Sequence, residues 1–443
     1  MPFLYIRQLI EHRFVRSVLF LQIGSMIGTF VQAAAGIFIA RILQPELFGI
    51  YSLVFGVAGV ISFLLGTGAQ DAMSTILAAA HAQRNAQEIE KAFGFLVKIA
   101  IVFGCIALFT AIASPIVTQW LYGSALIGMY AVPIVAGSAL STVFFLATLL
   151  GLQITGAIRT MTGLMALDQI LRFSLSLFFV WLGYGVVGAV AGQFIGAVLL
   201  FAVSIWMWQR LSKHDSLFPS LSKVIHEVRQ GSIRTYLRFT AWVMFDRNVS
   251  ALFMSLPVLV VGAYVSVTEV GYFKLAFGYV NLALSLLGPV STMLNVEFPK
   301  KKLSETHQLR GAFLKATKFG VFVSLALTTA AISVSPLAFR VLYGENYLPS
   351  IPYIFGLYMY GALFGVGVAL GPMWRALDKV RTSIFINVLT LGIGIPAGII
   401  LIKEFHLWGA VAMVTILYTV SHAVSFLYLA RNLKSLESEG YPV

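Results

Sequence analysis

Two halves of the chain carry the same residue pattern about 221 positions apart. The stretch Ala113–Gly123 recurs as Val334–Gly344, and both copies share a Ser-Pro pair and a Leu-Tyr-Gly ending. A Gly-Ala-Val-Ala sequence that begins at Gly188 returns at Gly409. Internal repeats in a membrane protein are typical of transporters whose substrate pathway lies between the repeats. The sequence therefore predicts a duplicated transport architecture.

The composition restricts the chain to the membrane. It is 59% hydrophobic and 11% charged, whereas soluble domains carry about 25% charged residues. Each apolar stretch is long enough to span a bilayer. The predicted fold is an all-α polytopic membrane protein with twelve transmembrane helices in two six-helix lobes. The predicted spans are 17–40, 47–69, 92–114, 128–150, 161–183, 187–208, 240–264, 270–294, 312–334, 350–374, 383–403 and 408–430.

The distribution of basic residues predicts the domain boundaries and the orientation. An N-terminal lobe, 1–208, would begin with a short interfacial helix, a basic linker would cover 209–236, and a C-terminal lobe would cover 237–443. Twenty Lys and Arg residues fall in the termini, the linker and the loops on one side, against three on the other. Because cytoplasmic loops carry the excess of Lys and Arg, both termini are predicted to be cytoplasmic. Because each half has an even number of predicted spans, both lobes have the same orientation in the membrane. They are therefore predicted to be related by a pseudo-two-fold axis along the membrane normal.

Two opposite charges lie near the middle of the fifth predicted span. Arg172 is about 16 Å into that span at 1.5 Å per residue, too deep for its side chain to reach either surface easily. Asp168 precedes it by four residues, so the two side chains share a helix face and can pair. An intramembrane charge indicates a functional site. A structural ion pair that fixes helix packing is the alternative.

Other charges fall near the cytoplasmic ends of predicted spans. Lys98 is near the start of span three, and Asp246 with Arg247 lies about two turns into span seven. Both cations could face a water-filled cavity or extend to the interface. The buried charges are cationic on balance, and a cavity with that charge attracts anions. We therefore predict anion contacts by Arg172, Arg247 and Lys98, with Asp168 and Asp246 as their charge partners.

One face of the first predicted span is polar. Gln22, Ser25, Thr29 and Gln32 are spaced by three or four residues, so they form a stripe along one side of a helix. Such a stripe could line a cavity and offer hydrogen bonds to sugar hydroxyls. It could equally join two helices through hydroxyl and amide contacts.

The sequence gives no sign of an enzyme, a metal site or a cofactor site. The seven His residues are scattered, with at least 12 positions between neighbours in the chain. Metal-binding pairs on one helix lie closer together. Neither a phosphate-binding loop nor a nucleophile elbow is present. The net charge of +13 reflects loop orientation and does not indicate binding to nucleic acid.

The first predicted hairpin resembles a known family. The stretch Ala40–Leu53 has the pattern Ala-Arg, Leu, Pro and Phe-Gly-x-Tyr, and Gly68–Ala72 follows as a Gly-x-x-x-Ala turn. Val270–Ala276 repeats part of it in the second half. These motifs resemble the polysaccharide-transport branch of the MATE-like superfamily, which flips lipid-linked oligosaccharides. Relatives often carry an acidic residue where this chain has Leu256–Val258, which argues against ion coupling through that carboxylate.

The resemblance implies a MATE-like fold and a function. It implies a flippase in a bacterial inner membrane that moves an isoprenoid-diphosphate-linked oligosaccharide for O-antigen or exopolysaccharide synthesis by alternating access. Its implied partners are membrane lipids, a polymerase and glycosyltransferases. A gradient-driven exporter of small molecules, a major-facilitator transporter and a membrane scaffold are the alternatives. The segment 69–90 lacks the loop motif of the major-facilitator family.

Overall fold

The described part of the chain is built from helices. The computed structural model describes residues 13–65, 68–215, 217–304 and 306–438, and no β-strand occurs within these ranges. Lipid tails cannot form hydrogen bonds with the backbone, whereas an α-helix pairs its own N–H and C=O groups. The helical content therefore suits a chain that crosses a bilayer several times. The predicted interfacial helix over residues 3–16 lies mostly outside the described residues.

Seven helices occupy the N-terminal half. In chain order they are α1 Arg13–Ser62, α2 Ala69–Ala82, α3 Ala86–Tyr122, α4 Ala125–Ile154, α5 Ile158–Phe179, α6 Gly185–His214 and α7 Leu221–Gln230. Eight more occupy the rest of the chain. They are α8 Arg234–Gly262, α9 Val267–Leu284, α10 Gly288–Ser304, α11 Thr306–Ala338, α12 Ile351–Gly356, α13 Tyr358–Phe364, α14 Gly367–Ala376 and α15 Val380–Ser438.

Several of these helices contain more than one predicted span. Within the described residues, seven helical stretches are long and apolar enough to cross a membrane, or eight if a pair bent by 55° counts as one. The three longest stretches are broken by backbone with positive φ at Gln44 (62°), Gly183 (91°) and His406 (49°). The breaks at Gln44 and His406 fall between two predicted spans, and Gly183 is the last residue of the predicted span 161–183. The number of twelve spans itself remains a prediction.

The described chain divides into two compact units. The first contains the described residues up to Leu43 and those from Val54 to Asn248, and the second contains 44–53 and the residues from Val249 onward. Ten residues of the first hairpin thus pack with the C-terminal half. The Nδ2 of Asn346 donates a hydrogen bond of 2.7 Å to Oε1 of Gln44, and Phe48 meets Tyr347 edge to face.

Equivalent residues of the two repeats meet in a reciprocal contact inside the second unit. Pro45 and Gly49 correspond to Val267 and Gly271 at an offset of 222. A Cβ atom added at Gly49 would lie 1.9 Å from the carbonyl oxygen of Val267, and one at Gly271 would lie 2.4 Å from that of Pro45. Such a self-complementary contact is what a two-fold relation between the repeats produces.

The linker is fixed to the first unit by aromatic packing. Phe93 of α3 lies 4.8 Å from Trp208 of α6 and 5.6 Å from Phe218, measured between ring centroids. The indole Nε1 of Trp208 donates a 3.2 Å hydrogen bond to the carbonyl oxygen of Pro219. The chain that leaves α6 therefore turns back onto α3 before it reaches α8.

The reciprocal contact predicts a difference between two glycines of α9. Gly271→Ala would push a methyl group into the backbone of Pro45, which cannot move cheaply, so overpacking should cost about 1–3 kcal/mol. Gly278→Ala is the matched control, because no atom lies within 4 Å of its added Cβ. Thermal unfolding of the purified protein should show a lower Tm for Gly271→Ala alone. Equal Tm values would contradict the contact.

Candidate functional site

Asp168 and Arg172 form an ion pair on α5. The Nε of Arg172 lies 2.6 Å from Oδ1 of Asp168, and the two side chains are 14% and 15% exposed. Their spacing of one helical turn brings the groups together, as the sequence predicted. A pair so far removed from solvent is costly to break, because the remaining partner would be an uncompensated charge.

Two neutral side chains extend this ion pair. The Nη2 of Arg172 donates a 2.8 Å hydrogen bond to Oγ of Ser141 on α4, which ties the guanidinium to a second helix. The Nε2 of Gln169 donates a 3.0 Å bond to Oδ2 of Asp168. Both carboxylate oxygens therefore have partners. Sequence reasoning missed Ser141 and Gln169, since neither is charged.

The guanidinium of Arg172 keeps spare hydrogen-bonding capacity. An arginine has five N–H donors, and the bonds to Asp168 and Ser141 use two of them. The other three have no hydrogen-bond partner within the described part of the chain. Guanidinium N–H groups match carboxylate and phosphate oxygens in pairs. The site can thus accept an anion without giving up its ion pair.

Glycines on α6 bring the backbone of α5 close. Gly188, Gly192 and Gly196 are spaced by four residues, so they form one stripe on α6. A Cβ added at Gly196 would lie 2.9 Å from Cα of Arg172, and one at Gly192 would lie 2.2 Å from the backbone nitrogen of Ser176. Close approach through small residues is a common way for membrane helices to pack. This stripe holds the Arg172 backbone in place.

The first predicted span also packs on α5 through glycine. A Cβ added at Gly28 would lie 3.1 Å from Cγ of Gln169, the residue that bonds to Asp168. Within the predicted polar stripe, Thr29 is half-buried and Gln32 is exposed. The side chains of Gln22 and Ser25 lie outside the described part. The role of the stripe in lining a cavity remains a prediction.

Lys98 has different neighbours from Arg172. Its Nζ donates a 2.8 Å hydrogen bond to the carbonyl oxygen of Gly231, between α7 and α8. It lines a cavity of about 260 Å³ that also contains a second lysine, two carboxylates and two aromatic rings. The other lining residues are Glu88, Lys91, Phe95, Glu227, Gly231, Ser232 and Tyr236. The structure therefore places Lys98 in a mixed-charge pocket at the linker. Its predicted contact with substrate remains a prediction.

A short hydrogen bond closes this linker pocket. The hydroxyl of Tyr236 donates to Oε1 of Glu88 at 2.5 Å. Tyr236 precedes the predicted span 240–264, and burial, followed by this hydrogen bond, raises its pKa above the ordinary value. The phenol thus stays protonated and keeps donating at neutral pH. Asp246 and Arg247 lie farther along α8, and their side chains are outside the described part, so their predicted roles stay untested.

Comparison with known proteins identifies the family. Residues 38–352 match the family described as polysaccharide biosynthesis protein, which is more than half of the chain. A relative from Bacillus subtilis (strain 168), the teichuronic acid biosynthesis protein TuaB, is 23% identical over 44% of this chain and 40% of its own length. The amylovoran biosynthesis protein AmsL of Erwinia amylovora is 23% identical over 54% of this chain and 58% of its own length.

A third relative has the same general role in its name. The lipopolysaccharide biosynthesis protein WzxC of Escherichia coli (strain K12) is 26% identical over 38% of this chain and 34% of its own length. The chain therefore spans between about a third and three fifths of the curated relatives that it matches.

Solved structures show the fold. An inward-facing multidrug resistance MATE family transporter aligns with a TM-score of 0.78 at 18% identity, over 96% of this chain and 100% of the other. A transporter of the same superfamily from Pyrococcus furiosus aligns with a TM-score of 0.65 at 18% identity, over 95% and 96% of the two chains. The expected fold class is confirmed. This multi-pass membrane protein has the MATE fold and belongs to the polysaccharide biosynthesis protein family.

Proposed function

We propose that this protein flips an isoprenoid-diphosphate-linked oligosaccharide across a bacterial cytoplasmic membrane. The observation that carries the proposal is the guanidinium of Arg172, which has three N–H donors without a hydrogen bond in the described part of the chain while Asp168 balances its charge. The family match supports the same role. The relatives are named as biosynthesis proteins of teichuronic acid, amylovoran and lipopolysaccharide, so their names share no single polymer that would identify the sugar.

The electrostatics of the ion pair explain how it could serve a transport cycle. In the empty protein, Asp168 keeps Arg172 from being an unpaired charge in a low-dielectric setting. When a diphosphate arrives, its oxygens can take the three remaining N–H donors through strong charge-assisted hydrogen bonds. Since the pair stays formed, little rearrangement is needed when the anion leaves. The oligosaccharide thus moves by alternating access, without chemistry on the substrate.

The surroundings of the protein follow from the same proposal. The excess of Lys and Arg on one side supports a multi-pass orientation with both termini in the cytoplasm. A flippase for a polysaccharide precursor receives its substrate from glycosyltransferases and delivers it to a polymerase. These enzymes are therefore its proposed functional partners, together with the lipids around it.

Export of small cations on the same fold is the rival function. The fold similarity to a multidrug resistance transporter is the reason to consider this function. A site for cations needs a carboxylate that is open to the ligand. Both oxygens of Asp168 already have partners, Oδ1 in Arg172 and Oδ2 in Gln169. The charges that the structure describes at this site thus favour an anion.

Loss of Arg172 should stop export. In cells that depend on this protein for their surface polymer, Arg172→Ala should reduce export about tenfold or more, since hydrogen bonds to charged groups contribute about 1.5–3 kcal/mol. Arg172→Lys, which keeps the charge, should retain part of the activity. Arg210→Ala is a control that removes another cation, one lying over the Trp206 ring. Export is compared at equal protein levels, and wild-type export by Arg172→Ala would contradict the proposal.

A reversed ion pair separates structure from function. The double variant Asp168→Arg with Arg172→Asp keeps both charges one helical turn apart, so it should recover most of the thermal stability lost by either single variant. It moves the cation away from Ser141 and should not restore export. Recovery of both stability and export would show that the pair only fixes helix packing.

A further inference from the structure

The second unit contains a polar cavity that no sequence pattern indicated. It has a volume of about 220 Å³ and lies among α8, α14 and α15. Trp374 and Ser383 flank the turn between α14 and α15, and Asn387 lies one helical turn after Ser383 on α15. The lining residues are Phe253, Gly367, Leu370, Gly371, Trp374, Ser383, Asn387, Tyr418, Ser421, His422 and Ser425.

The described lining mixes polar and apolar residues and includes no carboxylate, ammonium or guanidinium group. The guanidinium of Arg375 lies beside it, with Nη2 3.3 Å from a Cβ added at Gly371. An anion such as a diphosphate would meet a cation only at the edge of this cavity, and a cationic drug would find no acid among the described lining residues. Its polar groups are neutral hydroxyl, carboxamide and imidazole groups, which can both donate and accept hydrogen bonds. The chemistry therefore suits a neutral ligand that carries several hydroxyl groups.

Two serine hydroxyls of the lining have no hydrogen-bond partner in the described part of the chain. Ser383 is 8% exposed and Ser425 is 4% exposed, and neither hydroxyl has a hydrogen bond within the described residues. These two hydroxyl groups line the cavity and can therefore bond to a molecule inside it.

The carboxamide of Asn387 is held in a defined orientation. Its Oδ1 accepts a 2.8 Å hydrogen bond from Oγ of Ser421. The two N–H donors of Asn387 are left without a hydrogen bond in the described part of the chain. The imidazole of His422 is fixed from the other side, because a Cβ added at Gly367 would lie 2.7 Å from its ring. Donors and acceptors are thus preorganised around the cavity.

Aromatic rings supply flat apolar faces in the same cavity. Tyr418 packs edge to face against Tyr360 at 4.8 Å and against Phe253 at 5.5 Å, measured between centroids. These contacts keep its ring in one orientation. Binding sites for small molecules combine such apolar walls with a few placed polar groups. A sugar ring has the matching surface, with apolar C–H faces and a rim of hydroxyl groups.

We infer that this cavity binds one sugar ring of the lipid-linked oligosaccharide. The inference rests on the proposed function and adds to it a subsite in the second unit, separate from the Arg172 site of the first. The volume of about 220 Å³ is smaller than the roughly 300–1,000 Å³ of drug-sized sites, which suits a single ring. The hydroxyls of Ser383 and Ser425 and the Asn387 amide would bond to its hydroxyl groups.

Thiol protection tests the subsite. Cys105 is the chain's one cysteine, so Cys105→Ser gives a background into which Ser383→Cys or Ser425→Cys is placed. Both changes nearly preserve the size of the side chain. The rate of modification by methyl methanethiosulfonate is measured in nanodiscs with no added lipid, with undecaprenyl diphosphate, and with lipid-linked oligosaccharides extracted from cells blocked in polymer export. The extract should slow modification at least threefold, and undecaprenyl diphosphate should not.

A control and a separate transport assay distinguish the possible outcomes. Ser212→Cys, near the end of α6 in the first unit, should react at the same rate under all three conditions. No slowing at either cavity cysteine, or equal slowing by the two lipids, would overturn the sugar subsite. Flipping of the same glycolipid by the Cys105→Ser protein in vesicles tests the proposed function. Flipping without protection removes only the subsite, whereas absence of flipping removes the proposed function.

Discussion

The need to satisfy backbone polar groups inside hydrocarbon dominates this structure. Helices meet that need, and the chain interrupts them where positive φ values allow a sharp change of direction. Close packing between helices then depends on glycine, because only a residue without Cβ lets two backbones meet at these distances. The position of Arg172 follows from this, since its own backbone is held against Gly196.

The two units meet the cost of buried polar groups in different ways. The first unit holds charges, and it neutralises them by pairing Arg172 with Asp168 and by adding hydrogen bonds from Ser141 and Gln169. The second unit has a cavity whose described polar lining groups are neutral hydroxyl, carboxamide and imidazole groups. Duplication thus preserved the helical scaffold while the polar interiors diverged. A substrate with a charged part and a neutral hydroxylated part fits such a division.

Features that depend on local spacing in the sequence could be predicted, whereas features that depend on contacts between distant segments could not. The pairing of Asp168 with Arg172 follows from one helical turn, and the breaks near Gly183 follow from a glycine between apolar stretches. The contact with Ser141 depends on how α4 meets α5, which no periodicity reveals. The partner of Lys98, Gly231, is 133 residues away in the chain. The position of Lys98 near a predicted span therefore could not show that its surroundings differ from those of Arg172. The neutral cavity was missed because its residues are ordinary helix-packing types.

The exchange of short segments between the halves has a topological consequence. Residues 44–53 belong to the N-terminal half by sequence and to the second unit by packing. Residues 217–248, which follow α6 and include most of the predicted linker, pack in the first unit. A chain cut between α6 and α7 would therefore give two fragments, each of which holds a piece of the other's unit. The relation is that of a domain-swapped dimer joined into one polypeptide. The boundary between the two units therefore does not coincide with the boundary between the two sequence repeats.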